Sequence, residues 1–215
     1  VISGSVLSSD LSTGYANTLA TSSASQTSMS IYIDVSNGVN FNGVSAVTSA
    51  DILAVNGVIH KVDAVIGLPN VVTFAAADPN FSTLVSALTR NDLTTDFVSI
   101  LSTSTGTSPA PFTVFAPIND AFNRLLTELN LTSLSEIDEP TLDVVLKFHV
   151  VGGANVLDSS LTDNLTVSTL GGDITANVTG GATLTDANGR VSDIIATNVQ
   201  ANNGIIHAIN KVILP

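Results

Sequence analysis

The sequence predicts an α+β fold in which several helices pack beside a β-sandwich-like core. Three observations carry that prediction. Apolar residues between Asp78 and Leu146 recur at helical spacing, Thr and Val runs broken by Gly and Asn turns take over from Leu165, and one strand-rich segment occurs twice, 147 residues apart and without a gap.

The repeat sets the organisation. VSAVTSADILAVNGVIHKVDAV, residues 44 to 65, aligns with VSDIIATNVQANNGIIHAINKV, residues 191 to 212, so that Asn56, Gly57, Ile59 and His60 fall on Asn203, Gly204, Ile206 and His207. Both copies close on Leu-Pro, at Leu68-Pro69 and Leu214-Pro215, and SVLSSDL at 5 to 11 resembles NVLDSSL at 155 to 161. A period of this length is a whole domain, not a solenoid unit. No counterpart of residues 74 to 149 precedes Val1. The expected arrangement is therefore a tandem, with residues 1–69 the C-terminal half of a first domain and residues 70–215 a complete second one.

Along the complete domain, Asp78-Pro79 offers an N-cap and a proline at the first helical position, and Phe81, Leu84, Val85 and Leu88 follow at i, i+3, i+4 and i+7. Leu93, Phe97, Ile100 and Leu101 predict a second helix, ended by the Ser, Thr and Gly-rich loop of residues 102 to 111. Phe112 to Phe115 reads as a short buried strand. Asn119 caps a helix with Phe122, Leu125, Leu126 and Leu129 on one face, and Leu142, Val145 and Leu146 mark a further helix leading into a strand FHVV. Asn37-Gly38 and Asn188-Gly189 predict type I′ hairpin turns. The apolar runs Ile205–His207 and Val212–Leu214 predict core strands.

Composition narrows the function. The 215 residues carry 18 acidic and 6 basic side chains, a net charge of −12 that repels a phosphate backbone and argues against nucleic acid. There is no cysteine, hence no disulfide framework and no thiolate chemistry. Mean hydropathy is +0.44, yet Ser, Thr, Asn or Asp interrupts every apolar run before a transmembrane length is reached. VISGSVLSSD lacks the pattern of a signal peptide. The Ser, Thr, Asn and Asp-rich, Lys-poor composition is that of secreted and cell-surface proteins.

The chemistry-bearing residues read as structural. His60, His149 and His207 sit among apolar neighbours and lack the further ligands a zinc site needs. No G-x-S-x-G elbow accompanies them. DVSNGVNFNG and TDANGR lack the ligand order of a calcium loop and read as turns, and no phosphate-binding glycine motif occurs. No enzymatic activity, metal or cofactor is expected. Asn80, Asn130, Asn164 and Asn177 open N-x-[ST] sequons, relevant only on a eukaryotic secretory route.

These residues resemble the fasciclin family, also called FAS1 or beta-Ig-h3. FTVFAPINDAF at 112 to 122 is similar to its first signature block, and NNGIIHAINKVILP at 202 to 215 to its second. NGVIHKVDAVIGLP at 56 to 69 resembles the second block again, and ADPNFSTLVSALTRNDL at 77 to 93 fits the family's helical start, so the resemblance spans the chain. It implies a FAS1 fold and a non-catalytic, extracellular adhesion or matrix-interaction module, commonly in tandem. The Tyr-His pair implicated in integrin binding by animal members falls on Phe148-His149, where phenylalanine replaces the tyrosine. The family's Asp-Ile motif falls on Asp51-Ile52 and, in the second copy, on Asn198-Val199. Asp51, Ile52, Phe148 and His149 are thus the candidate partner-binding residues.

The expected function is adhesion through a protein or glycan partner at a cell surface or in a matrix, secreted or periplasmic according to the organism. Homotypic association through the open edge of the incomplete first domain is a further expectation. The alternative is a small-molecule or polysaccharide-binding module of a bacterial envelope, which an apolar pocket with a few convergent polar groups would favour.

Overall fold

The computed structural model describes all 215 residues. The chain opens with an antiparallel sheet of β1 (Gly14–Thr21), β2 (Ser28–Asp34), β3 (Asn40–Phe41), β4 (Ser45–Ala54) and β5 (Gly57–Val62), ordered as in the sequence. A helical stretch follows, with α1 (Val71–Ala77), α2 (Ser82–Leu88), α3 (Phe97–Leu101), strand β6 (Phe112–Pro117), α4 (Asn119–Glu128), α5 (Glu139–Phe148) and β7 (Val150–Gly152). Then come β8 (Leu165–Ser168), β9 (Asp173–Asn177), β10 (Thr183–Thr185), β11 (Val191–Gln200) and β12 (Gly204–Ile209). The second sheet runs β7-β6-β12-β11-β10-β9-β8, with β6 parallel to β12 and every other pair antiparallel. The predicted α+β class is what the chain adopts.

The two sheets repeat one another down to their irregularities. Val47 faces Val62, Ser49 faces Lys61 and Ile52 faces Ile59, and 147 residues on the same pairs recur as Ile194–Ile209, Ala196–Ala208 and Val199–Ile206. Both hairpins bulge between those pairs, with Asp51 and Asn198 each at φ 59°. Both are anchored alike: the Ser45 hydroxyl donates to Ala64 O and that of Ser192 to Lys211 O, while Asp63 and Asn210 accept from the amides of Ala46 and Asp193.

Two apolar clusters sandwich the second sheet. On the helical side, Phe74, Phe81, Leu84, Phe97, Phe122 and Leu142 pack against Val114 of β6 and Ile206 of β12. On the other, the sheet folds over so that Val167 and Ile174 join Phe115, Val151 and Ile209. Each fully buried side chain of this kind contributes about 1.5–3 kcal/mol. The first sheet leans on this body through β1 and β2. Tyr15 lies 5.5 Å from the Phe74 ring and donates to Asp78 at 3.0 Å, Gln200 N–H donates to Ser30 Oγ, and Ser22 Oγ donates to Ala201 O.

Several local expectations are corrected. VVTFAAA forms α1, unmarked in the sequence because it is a short apolar run without a visible face; Asn70 caps it by accepting from Thr73 N at 2.8 Å. Asp78 caps a 3-10 turn, Pro79–Phe81, that leads into α2. Asn119 begins α4 without capping it, since its Oδ1 accepts from Thr83 N and so caps α2 across space. Leu93 lies outside α3, and Phe148 ends α5, leaving only Val150–Gly152 as strand. Val212–Leu214 is not a strand, although Val212 and Ile213 are buried. At both Asn-Gly turns only the glycine is left-handed, Gly38 at 78° and Gly189 at 75°, so neither is type I′. At the second, Asp186 instead accepts from the amides of Asn188 and Arg190.

Candidate functional site

The predicted site residues separate into two groups. Phe148 is 6% exposed and His149 2%, so neither is a surface a partner can touch. Phe148 packs with Phe115, Val151 and Ile174, and its ring lies against the backbone of Gly171 and Gly172. His149 uses both ring nitrogens, with Nδ1 2.7 Å from Val145 O and Nε2 accepting from Ile213 N at 3.0 Å. Burial holds its pKa down to about 4, so the ring is neutral. The expectation that this pair contacts a partner is corrected to a role in joining α5 to the C-terminal segment.

Asp51 and Ile52 are at the surface, but with different work. The Asp51 carboxylate accepts from Ser8 N at 2.7 Å and Ser8 Oγ at 2.5 Å, hydrogen bonds that hold it below the usual carboxylate range. The second copy ties the same loop with the charge transposed, Asn198 bonding to Asp158. Asp51 is thus occupied within the chain. Ile52 is free, and opposite it stands Ile59, with Leu53 and Val55 on the same hairpin also exposed.

Comparison with the second copy measures how unusual this exposure is. All six residues of β12 are buried, because β6 covers its edge and the helices cover Ile206 and Ala208. In β5, no strand pairs with the outer edge and no helix lies over Ile59, which is 56% exposed against 1% for Ile206. The result is an unpaired backbone edge on a hairpin where Ile52 and Ile59 stand exposed on one face, Leu53 on the other and Val55 at the turn. Gly57, Leu53 and Ile59 were not among the predicted site residues. For Gly57 and Ile59 the signal lay in the repeat, since they match Gly204 and Ile206 and differ in what covers them, whereas Leu53 stands where the second copy has Gln200.

The inner face of β5 is occupied from within. His60 Nε2 sits 3.0 Å from Val6 O, as His207 Nε2 sits 2.9 Å from Val156 O. Beside His60 a cavity of about 350 Å³ opens between Val6, Leu11, Ile31, Phe41 and Val62. A second cavity of about 220 Å³ lies under α1, α2 and α3, where 12 of its 13 lining residues are hydrophobic.

A fasciclin domain model matches residues 1–69 and 79–215. An uncharacterized protein of Synechocystis is 37% identical over 151 residues, covering 68% of this chain and 98% of the relative. A fasciclin-like arabinogalactan protein of Arthroderma benhamiae is 26% identical over 178 residues, 83% of this chain and 38% of that protein, and human periostin is 26% identical over 181 residues, 81% and 20%. Among solved structures, the FAS1 domain pair from the insect cell adhesion molecule Fasciclin I superposes with a TM-score of 0.57 at 18% identity, covering 87% of this chain and 68% of that one. No helix of the chain is long and apolar enough to cross a membrane.

Proposed function

This chain belongs to the fasciclin domain family, and from that premise we propose that it is a non-catalytic adhesion module that binds a protein partner through the β4–β5 hairpin of its first sheet. Residues 1–69 act as the C-terminal half of one fasciclin domain and residues 70–215 as a complete second; the shared strand order and bulges of the two sheets support this. The observation that carries the binding reading is the exposure of the facing pair Ile52 and Ile59, with Leu53 exposed on the opposite face and Val55 at the turn, next to an unpaired strand edge. Large apolar patches of this kind mark interaction surfaces. An apolar patch suits a protein better than a glycan, whose hydroxyls need polar partners. The composition supports a location at a cell surface, in a matrix or in a periplasm, as does kinship with a family whose Fasciclin I domain pair comes from an insect cell adhesion molecule.

The test is retention of beads coated with the chain on a layer of cells from the source organism. Ile52→Asp with Leu53→Asp should abolish retention while the chain keeps its far-ultraviolet circular dichroism spectrum and its cooperative unfolding. Equal retention of wild type and variant would refute the assignment to this hairpin.

A second reading, a module that holds a small molecule, rests on the cavity under α1, α2 and α3. Its hydrocarbon lining fits an apolar molecule somewhat larger than benzene, which fills a cavity of about 150 Å³, and offers a polysaccharide almost no hydrogen bonds. A neutral naphthalene dye should bind it saturably and be displaced when Ala76→Phe fills the space.

A further inference from the structure

We propose that the pocket between the first sheet and the rest of the chain, walled by Tyr15 and Tyr32 on one side and by Asp78 and Phe81 on the other, binds a free methylated ammonium ion of about the size of choline. It shares no residue with the adhesive hairpin and stands apart from it. Charge pairing singles the pocket out. The chain buries three carboxylates, Asp78, Asp143 and Asp186. Lys147 stands 2.6 Å from Asp143 and Arg190 3.9 Å from Asp186, whereas no basic side chain pairs with Asp78. Buried charges are ordinarily paired. Asp78 instead lines a cavity of about 330 Å³, of whose wall it is the one charged residue.

The walls suit a cation without N–H groups. Tyr15 and Tyr32 have ring centroids 5.0 Å apart with their planes inclined at 55°, a corner rather than a stack, and aromatic faces attract a cation held over them. Burial and then the charge of Asp78 raise both phenols, Tyr32 with a further contribution from Asp34 to about 12, so the rings stay neutral beside a negative centre. Tyr15 donates to Asp78 Oδ2 at 3.0 Å, and the backbone and side-chain amides of Asn80 both donate to Oδ1 at 3.0 Å. Of about four acceptor positions on a carboxylate, one is left. A primary amine would bring three donors to it. A methylated ammonium brings none, and needs only the charge, the ring faces and the aliphatic contact that Ile118, Ile195 and Val199 supply for its methyl groups.

The pocket arises where the two halves of the molecule meet. Along β2 the side chains alternate: Ile31 and Ile33 join Phe41 within the first sheet, while Tyr32 between them joins the cluster of Phe74 and Phe81. β1 and β2 stand at the end of the first sheet opposite to β5, and the Ser22–Ala201 and Gln200–Ser30 hydrogen bonds hold them in place. Such junctions are where ligand sites concentrate.

Tyr15 and Tyr32 are the two tyrosines of a chain without tryptophan, so its intrinsic fluorescence reports on the pocket rings alone. The full chain is titrated with choline chloride, with the neutral isostere 3,3-dimethylbutan-1-ol and with phosphocholine. Choline should change the tyrosine emission saturably, and the alcohol should bind at least about tenfold more weakly. Phosphocholine, whose phosphate meets a net charge of −12, should bind several-fold more weakly than choline, which marks a free ion and not a lipid headgroup as the ligand. Asp78→Asn should weaken choline about tenfold and leave the alcohol unchanged, with far-ultraviolet circular dichroism as the check on its fold. Ala196→Lys, at an exposed position on the pocket wall, supplies an ammonium from the chain itself and should abolish choline binding. Four results would overturn the inference: no saturable change with choline, equal affinity for choline and the alcohol, phosphocholine binding as tightly as choline, or choline binding that survives both substitutions.

Discussion

The internal repeat allows one substitution to be made twice in the same molecule, at residues that differ only in what covers them. Ile206 and Ile59 occupy equivalent positions of β12 and β5, face the same side of their hairpins and oppose Val199 and Ile52. Ile206 is 1% exposed and Ile59 56%. Replacing isoleucine by alanine removes about 2 kcal/mol of transfer free energy when the side chain is fully buried. At residue 206 a cavity between β12, Val114 and Leu84 adds to this, for a total of about 3–4 kcal/mol. At residue 59 less than half of the transfer applies and no cavity forms, which leaves about 1 kcal/mol. For a chain of this length those costs correspond to drops in the unfolding temperature of about 10 °C and about 3 °C. Differential scanning calorimetry of the two variants measures the difference. Equal shifts would refute the reasoning, because Ile59 would then be as covered in solution as Ile206.

The same logic gives three further predictions. Gly204→Ala pushes a Cβ into Phe112 O and should cost about 3 kcal/mol in urea unfolding, while Gly57→Ala should change stability by less than about 0.5 kcal/mol. His149 has its pKa lowered by burial from 6.5 to about 4, so the unfolded chain takes up the proton first. Its contribution is therefore complete above the unfolded pKa and lost as pH falls toward the folded one, about 2 kcal/mol between pH 7.5 and pH 5. Burial lowers His207 in the same direction, so His149→Gln should flatten the stability profile in that window without abolishing its slope; an unchanged slope would count against the buried neutral ring. Finally, Ser8→Asp sets a second carboxylate against Asp51 and should lower the unfolding midpoint at pH 7. Adding Asp51→Asn recreates the Asp158–Asn198 pairing and should restore it.

Sequence periodicity exposed the helices where one apolar face is long enough to show, as in α4 and α5, and missed α1, whose seven residues are almost all apolar. Capping was legible as residue type but not as destination. Asn119 was recognisable as a capping residue, yet the amide it caps belongs to α2 and is brought to it only by packing. The candidate site divided along the same line. The family motif pointed equally at Asp51-Ile52 and Phe148-His149, because a motif records position along the chain and carries no information about burial.

The family, the α+β class, the repeat and the equivalence of β5 with β12 are legible in the order of residues, because all of them rest on local pattern. Which copy is covered is visible only once the chain is folded. Gly57, Ile59 and His60 are chemically the same as Gly204, Ile206 and His207, but β6 and the helices that close over the second set lie more than fifty residues from it in the sequence and have no counterpart over the first. Burial is a property of distant segments meeting in space. Identical residues therefore became core in one sheet and an open edge in the other.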